Sequence, residues 1–165
     1  MMECRRFDDV EMVIREYGHT LFRNCFLMLN SKQDAEDVVQ ETFMKYFSTN
    51  IEFIDNEHRK AWLIKVSQNK CRDILRFNRR HTTIPLEKVV DELISGEYVE
   101  IDELNEFISI AKLGYKYKSV IMLHYIEGYS VEETAKILNI SKSAVKMRLK
   151  RAREILKDTY EKKYS

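Results

Sequence analysis

Little in this sequence could hold a metal or a cofactor. The three cysteines, Cys4, Cys25 and Cys71, are far apart and form no CxxC pair, so they read as reduced thiols of a cytoplasm rather than as a disulfide framework or a zinc site. His19, His58, His81 and His124 are equally scattered, and no glycine loop converges on them. Neither a metal nor any other cofactor is expected. No apolar run is long enough to span a bilayer, and Glu3, Asp8 and Asp9 spoil the basic-then-apolar order of a signal peptide. The expectation is a cytoplasmic protein with no direct membrane insertion. Repeats of 20 to 50 residues and low-complexity tracts are absent too. Proline occurs once, at Pro85.

What is present is ordinary globular composition, 44% hydrophobic and 33% charged over 165 residues, enough for one domain or two small ones. The formal net charge of +1 hides a strong segregation of acids from bases, and localised basic patches can bind nucleic acid without an excess of base overall. Val10, Val13, Ile14, Tyr17, Leu21, Cys25 and Met28 recur at helical spacing, which predicts a core-facing helix over 10–29 that ends at Asn30-Ser31. From Asp34 to Phe47, Ala35, Val38, Val39, Thr42, Phe43 and Tyr46 mark an amphipathic helix whose outer side carries Asp34, Asp37 and Glu41, with Gln33, Glu36 and Gln40 alongside. Acids in a first helical turn are favoured by the dipole, and nothing completes a catalytic site around them. Their concentration on one side leaves a docking surface for a basic or polar partner as the open reading.

A loop is expected over 48–57, then a helix from His58 to about Arg80. Along it Lys65, Asn69, Arg72, Arg76 and Arg79 form a cationic stripe, with Leu63, Val66, Ile74 and Phe77 opposite and Trp62 expected in the core. Asn69 within that stripe has the chemistry to donate to and accept from a base edge. From His81 to Glu106 eight acids, Glu87, Asp91, Glu92, Glu97, Glu100, Asp102, Glu103 and Glu106, face one base, Lys88, which reads as an acidic linker between two helical domains. Helices are then expected near Leu104–Leu113 and Lys118–Ile126, the second packing through Val120, Ile121, Leu123 and Tyr125.

The stretch from Ser130 to Leu156, SVEETAKILNISKSAVKMRLKRAREIL, gives a short amphipathic helix, a break at Leu138-Asn139-Ile140-Ser141, and a longer helix. Ser141 is a good N-cap; Val145, Leu149, Ala152 and Leu156 face a core, while Lys142, Lys146, Lys150, Arg153 and Lys157 line another face. Such a stripe alone is as compatible with a solvated helix face as with DNA. Small Ala135 where the helices meet, the apolar hinge of Ile137, Leu138 and Ile140, and the cap at the turn's end together make a DNA-reading helix-turn-helix.

DAEDVVQETFMKYF, HRKAWLIKVSQNKCRDILRFNRRH and YIEGYSVEETAKILNISKSAVKMRLKRARE, in that order, resemble regions 2.2, 2.3 with 2.4, and 4 of the sigma-70 initiation factors of bacterial RNA polymerase, in particular the small extracytoplasmic-function (ECF) group. The resemblance implies an all-α fold of two small helical domains: residues 1–80 as region 2, an acidic linker over 81–103, and residues 104–165 as region 4. It further implies that Asp34, Asp37, Gln40, Glu41 and Phe43 dock on core RNA polymerase. The loop around Ile51 to Glu57, with Lys65, Asn69, Arg72, Arg76, Arg79 and Arg80, would read and open the minus-ten element of promoter DNA, capturing an extruded base. Lys142, Ser143, Ala144, Lys146, Met147, Lys150 and Arg151 would lie at or near the minus-thirty-five element. An anti-sigma factor is the further partner implied. One departure is visible: before Lys118 this chain has LGYKYK where the family usually has a proline-containing stretch. The alternatives from the residues themselves are an autonomous helix-turn-helix regulator and, more remotely, a nuclease using the acidic helix.

Overall fold

The computed structural model describes residues 7–77, 110 and 112–164. The expected linker, most of the expected helix at Leu104–Leu113, and Cys4, Arg79 and Arg80 lie outside these residues. Among the described residues every regular element is helical, and the chain divides into two compact units, Met1–His81 and Thr82–Ser165.

In the first unit α1 (Phe7–Leu29), α2 (Lys32–Ser48) and α3 (Asn56–Phe77) pack on one another. Asp8 and Asp9 occupy the first turn of α1, where the helix dipole favours acids. Asn30 ends α1 in the left-handed region at φ 53°, a conformation asparagine tolerates, and its N–H reaches Phe26 O at 2.8 Å. Ser31 then caps α2 by accepting from the Asp34 N–H at 3.2 Å, so α2 begins ahead of the expected Asp34. The core holds Val13, Leu21, Phe26 and Leu27 of α1, Ala35, Val38 and Tyr46 of α2, and Leu63, Ile64 and Cys71 of α3. Burial, and after it the neighbouring Glu16 carboxylate, push the Tyr17 phenol above its ordinary range, so it stays an O–H donor, here to Asn56 O at 3.4 Å.

Two residues of this unit assigned to the core by period lie outside it. Ile14 is exposed on α1, beside a cleft that α2 does not fill. Phe77, at the last turn of α3, is 81% exposed, because α3 runs past the part of it that α1 and α2 cover.

In the second unit α4 (Tyr115–Ile121) runs directly into a π-helical turn, Met122–Ile126. Gly114 stands at the N-cap of α4 without a side-chain cap, so the helix begins ahead of the expected Lys118. Ile110, Leu113, Val120, Ile121, Met122 and Leu123 are buried. Tyr125 is not, at 52% exposure, and its hydroxyl accepts from Arg153 Nη1 at 2.7 Å. Gly128, at φ 80°, makes the turn into α5 (Val131–Leu138), and the His124 imidazole donates from Nδ1 to Tyr129 O at 2.7 Å across it.

A capping box starts α5: the Glu133 N–H donates to Ser130 Oγ at 3.0 Å and the Ser130 N–H to Glu133 Oε2 at 2.9 Å. A Schellman turn stops it. Asn139 is left-handed at φ 55°, its N–H reaches Lys136 O at 3.4 Å, and the Ile140 N–H reaches back to Ala135 O at 3.1 Å. Ser141 accepts from the Ala144 N–H at 3.0 Å and so caps α6 (Lys142–Tyr164). Val145, Leu149 and Ala152 are buried beneath α6, with Leu156 half-buried as the core runs out.

Candidate nucleic-acid interface

The long helix α6 turns one face to its own unit and the other to solvent. With Val145, Leu149 and Ala152 inward, Lys142, Ser143, Lys146, Met147, Lys150 and Arg151 are all exposed and Ala144 is half-buried. The caps on either side of the turn fix the angle at which α6 leaves α5, so these side chains sit on a pre-set, protruding surface. Lys142 Nζ lies 3.7 Å from Glu132 Oε1 of α5, and Arg151 Nη1 3.2 Å from Glu154 Oε2. Both pairs are exposed and worth little in water. Arg153, part of the stripe by spacing, is instead drawn to Tyr125.

The face of α3 is built differently. Lys65 and Arg76 are exposed, but Asn69 and Arg72 are half-buried, and Arg72 Nε lies 4.0 Å from Asp73 Oδ1. At the N-terminal end of this face is an aromatic cluster. Phe53 of the loop before α3 stacks on Tyr46 at 5.8 Å between ring centroids and meets Trp62 edge-on at 5.6 Å. Trp62 is half-buried within this cluster. Behind it the Tyr46 hydroxyl donates to Asp9 Oδ2 at 2.9 Å and accepts from Arg59 Nε at 3.1 Å. The Arg59 guanidinium also lies 5.7 Å from the Phe53 ring centre. Asp55 Oδ1 accepts the His58 N–H at 2.7 Å, a cap that starts α3 at Asn56, earlier than the apolar period alone indicated.

On α2, Asp37, Gln40 and Glu41 are exposed and Asp34 is half-buried. Glu41 Oε2 is held 3.0 Å from Lys70 Nζ of α3. Phe43, grouped with these residues by the resemblance, is 7% exposed and lines the wall of a cleft between α1 and α2. That cleft, of about 630 Å³, is formed by Val10, Ile14, Gln40, Phe43, Met44 and Phe47, with Lys45 and Ser48 at its edge. Met44, 65% exposed, and Phe47 are the apolar groups that reach solvent next to the acids. Sequence reasoning missed them, although Gln40, Met44 and Phe47 follow one another at four and three, one helical face.

No group of three or more histidine, cysteine or acidic side chains among the described residues could hold a metal ion, and no described helix is long and apolar enough to cross a membrane. Cys25 and Cys71 are both buried.

Comparison with known proteins matches Sigma-70 region 2 to residues 13–81 and Sigma-70 region 4 to residues 109–156. The chain is 31% identical over 160 residues to the ECF RNA polymerase sigma factor SigW of Bacillus subtilis, covering 88% of this chain and 85% of that one. It is 30% identical over 162 residues to the ECF RNA polymerase sigma factor SigM of the same organism, covering 92% and 94%. The sigma factor RpoE from Bartonella quintana, solved in complex with the anti-sigma factor NepR, shares the fold: its TM-score is 0.71 at 22% identity, over 93% of this chain and 98% of that one. Two family regions in their proper order, and relatives of this identity aligned over most of both chains, make this protein a member of the ECF sigma factors, promoter-directing components of bacterial transcription initiation.

Proposed function

We propose that this sigma factor engages the promoter at two points while held on core RNA polymerase by α2, with each role assigned to particular residues. The exposed face of α6, Lys142, Ser143, Lys146, Met147, Lys150 and Arg151 with Ala144 beside them, enters the major groove at the minus-thirty-five element. The loop before α3, with Lys65, Asn69, Arg72 and Arg76 behind it, reads the minus-ten element, a role to which Arg79 and Arg80 are also assigned. Asp34, Asp37, Gln40 and Glu41, with the cleft walled by Phe43, form the polymerase-docking side. Residues 1–80, 81–103 and 104–165 serve as the two reading domains and the acidic linker between them. The chain performs no covalent chemistry itself. It acts in the cytoplasm, where an anti-sigma factor holds it inactive by covering these same surfaces.

The observation that carries this reading is the coexistence of two cationic faces with a one-sided acidic face that opens on an apolar cleft. A regulator that only binds duplex DNA needs the first of these and has no use for the last. Run-off transcription with purified chain and core polymerase on a promoter library tests it. Transcription from a defined promoter class is expected. Tight binding to duplex DNA alone, with no core binding and no transcription, would instead support an autonomous regulator.

A further inference from the structure

Arg153 belongs by period to the cationic line of α6, yet none of the roles given above uses it, and its surroundings differ from those of its neighbours. Lys142 and Arg151 each lie beside a carboxylate, Glu132 Oε1 at 3.7 Å and Glu154 Oε2 at 3.2 Å, which offsets part of their charge. Arg153 is exposed, and its Nη1 donates at 2.7 Å to the Tyr125 hydroxyl, a group that brings no charge of its own. The guanidinium is therefore oriented without being neutralised. Arginine carries five N–H donors in a rigid plane, and Tyr125 takes only one of them.

The tyrosine is itself held. Its ring meets the His124 imidazole edge-on at 4.9 Å between ring centroids, and that imidazole is fixed by its bond to Tyr129 O. Because the Tyr125 oxygen accepts from Arg153, its own O–H remains a donor, and the side chain is half open to solvent. A guanidinium and a phenol O–H side by side, with one positive charge between them, suit an oxyanion that offers two acceptor oxygens.

Their place on the fold indicates which oxyanion. With Val145, Leu149 and Ala152 inward, the helical period sets Ser143 and Met147 farthest from the core and brings Lys142, Lys146 and Arg153 together on one flank. A helix seated in a major groove turns its outermost residues to base edges and its flanks to the sugar-phosphate walls. From Lys142 to Arg153 this flank runs about 16 Å at the helical rise, so Arg153 stands at the far end of the line from the first turn.

We propose that Arg153 and Tyr125 clamp one phosphate of the duplex bordering the minus-thirty-five element, Arg153 supplying the charge and Tyr125 aiming the guanidinium and adding a second donor. The proposal rests on the seating of α6 at that element. Such a contact carries no sequence information; it fixes the register in which the rest of α6 meets the bases.

The experiment uses the whole chain with core polymerase and a fluorescent promoter duplex whose phosphates around the minus-thirty-five element are replaced, one at a time, by neutral methylphosphonates. The unaltered chain should lose about tenfold in affinity at one flanking position. Arg153→Gln should bind the ordinary duplex about tenfold more weakly, equally on every minus-thirty-five sequence, and then respond within about twofold to the replacement at that position. Its slope of log affinity against log salt should be shallower by about 0.9, and Arg153→Lys should restore the slope. Tyr125→Phe keeps the charge, so its slope should be unchanged while its affinity falls about threefold. A methylphosphonate profile that Arg153→Gln leaves unaltered overturns the clamp, because the pair then only ties α6 to the turn at 122–126; an unchanged salt slope does the same. Since the scan begins with the unaltered chain, the lack of any sensitive flanking position overturns it without recourse to a variant. If the unaltered chain binds a scrambled minus-thirty-five element as well as the original, the seating of α6 falls and the clamp with it, whereas discrimination kept alongside a flat profile removes the clamp alone.

Discussion

Helices α3 and α6 each carry a line of cations, yet they present them in opposite ways. On α6 the lysines stand clear of the protein, on a helix whose start is capped by Ser141 and whose approach is set by the Schellman turn at Asn139. On α3 the polar groups are half-sunk, and the line begins at a loop braced by rings and by the Asp9–Tyr46–Arg59 hydrogen bonds. A protruding helix with exposed side chains fits the groove of an intact duplex, where bases are read without being moved. A recessed face that begins at a ring-braced loop is suited to a strand parted from its complement. On the roles proposed above, the two faces differ less in charge than in the depth of their side chains and the stiffness of what flanks them.

That contrast can be broken most severely by removing the support of one face. Leu149 is buried beneath α6, and Leu149→Ala should cost the second unit about 2–5 kcal/mol. Hydrogen exchange is expected to rise across α5 and α6 while α1 to α3 keep their protection. Next in size, Lys146→Ala should weaken promoters that depend on the upstream element by about 1–3 kcal/mol if the lysine makes a good base contact. Competition between promoter variants measures it: an equal loss on every sequence would make the contact one to phosphate. Asn69→Ala is its counterpart on α3, expected to alter minus-ten preference by roughly 1–2 kcal/mol and leave minus-thirty-five preference intact. Unchanged preference across a minus-ten library would take Asn69 out of base reading. The smallest effect belongs to Ser130→Ala, which removes the capping-box hydroxyl and should destabilise the helix-turn-helix by about 1 kcal/mol, seen as a lower melting temperature with both promoter preferences retained.

Much of this architecture could be read from residue order, because long helices write their apolar period into the sequence. Val145, Leu149 and Ala152 and the caps at Ser130 and Ser141 are local signals, and local geometry honours them. Less legible was anything decided by a neighbouring element. Phe43 belongs by period to the inner side of α2 and by resemblance to its docking side; the shape of the cleft with α1 reconciles the two, since the ring is buried and yet lines an opening. Ile14 and Phe77 carry the right period but are left exposed by the described helices around them. The bracing of the loop before α3 joins Asp9, Tyr46 and Arg59, and no spacing rule connects residues that far apart in the chain.

The π-helical turn at Met122–Ile126 bears on how such sequences are aligned. There the Glu127 N–H reaches Met122 O at 2.9 Å, five residues back, so the turn holds one residue more than an α-helical turn does. Each residue of an α-helix advances its side chain by about 100°, and one extra residue shifts the phase of all that follows by that amount. Tyr125 lies within this wider turn, where a wheel drawn at about 100° per residue no longer applies, and it stands 52% exposed with its hydroxyl accepting from Arg153. A helical wheel drawn along α4 must stop at Ile121.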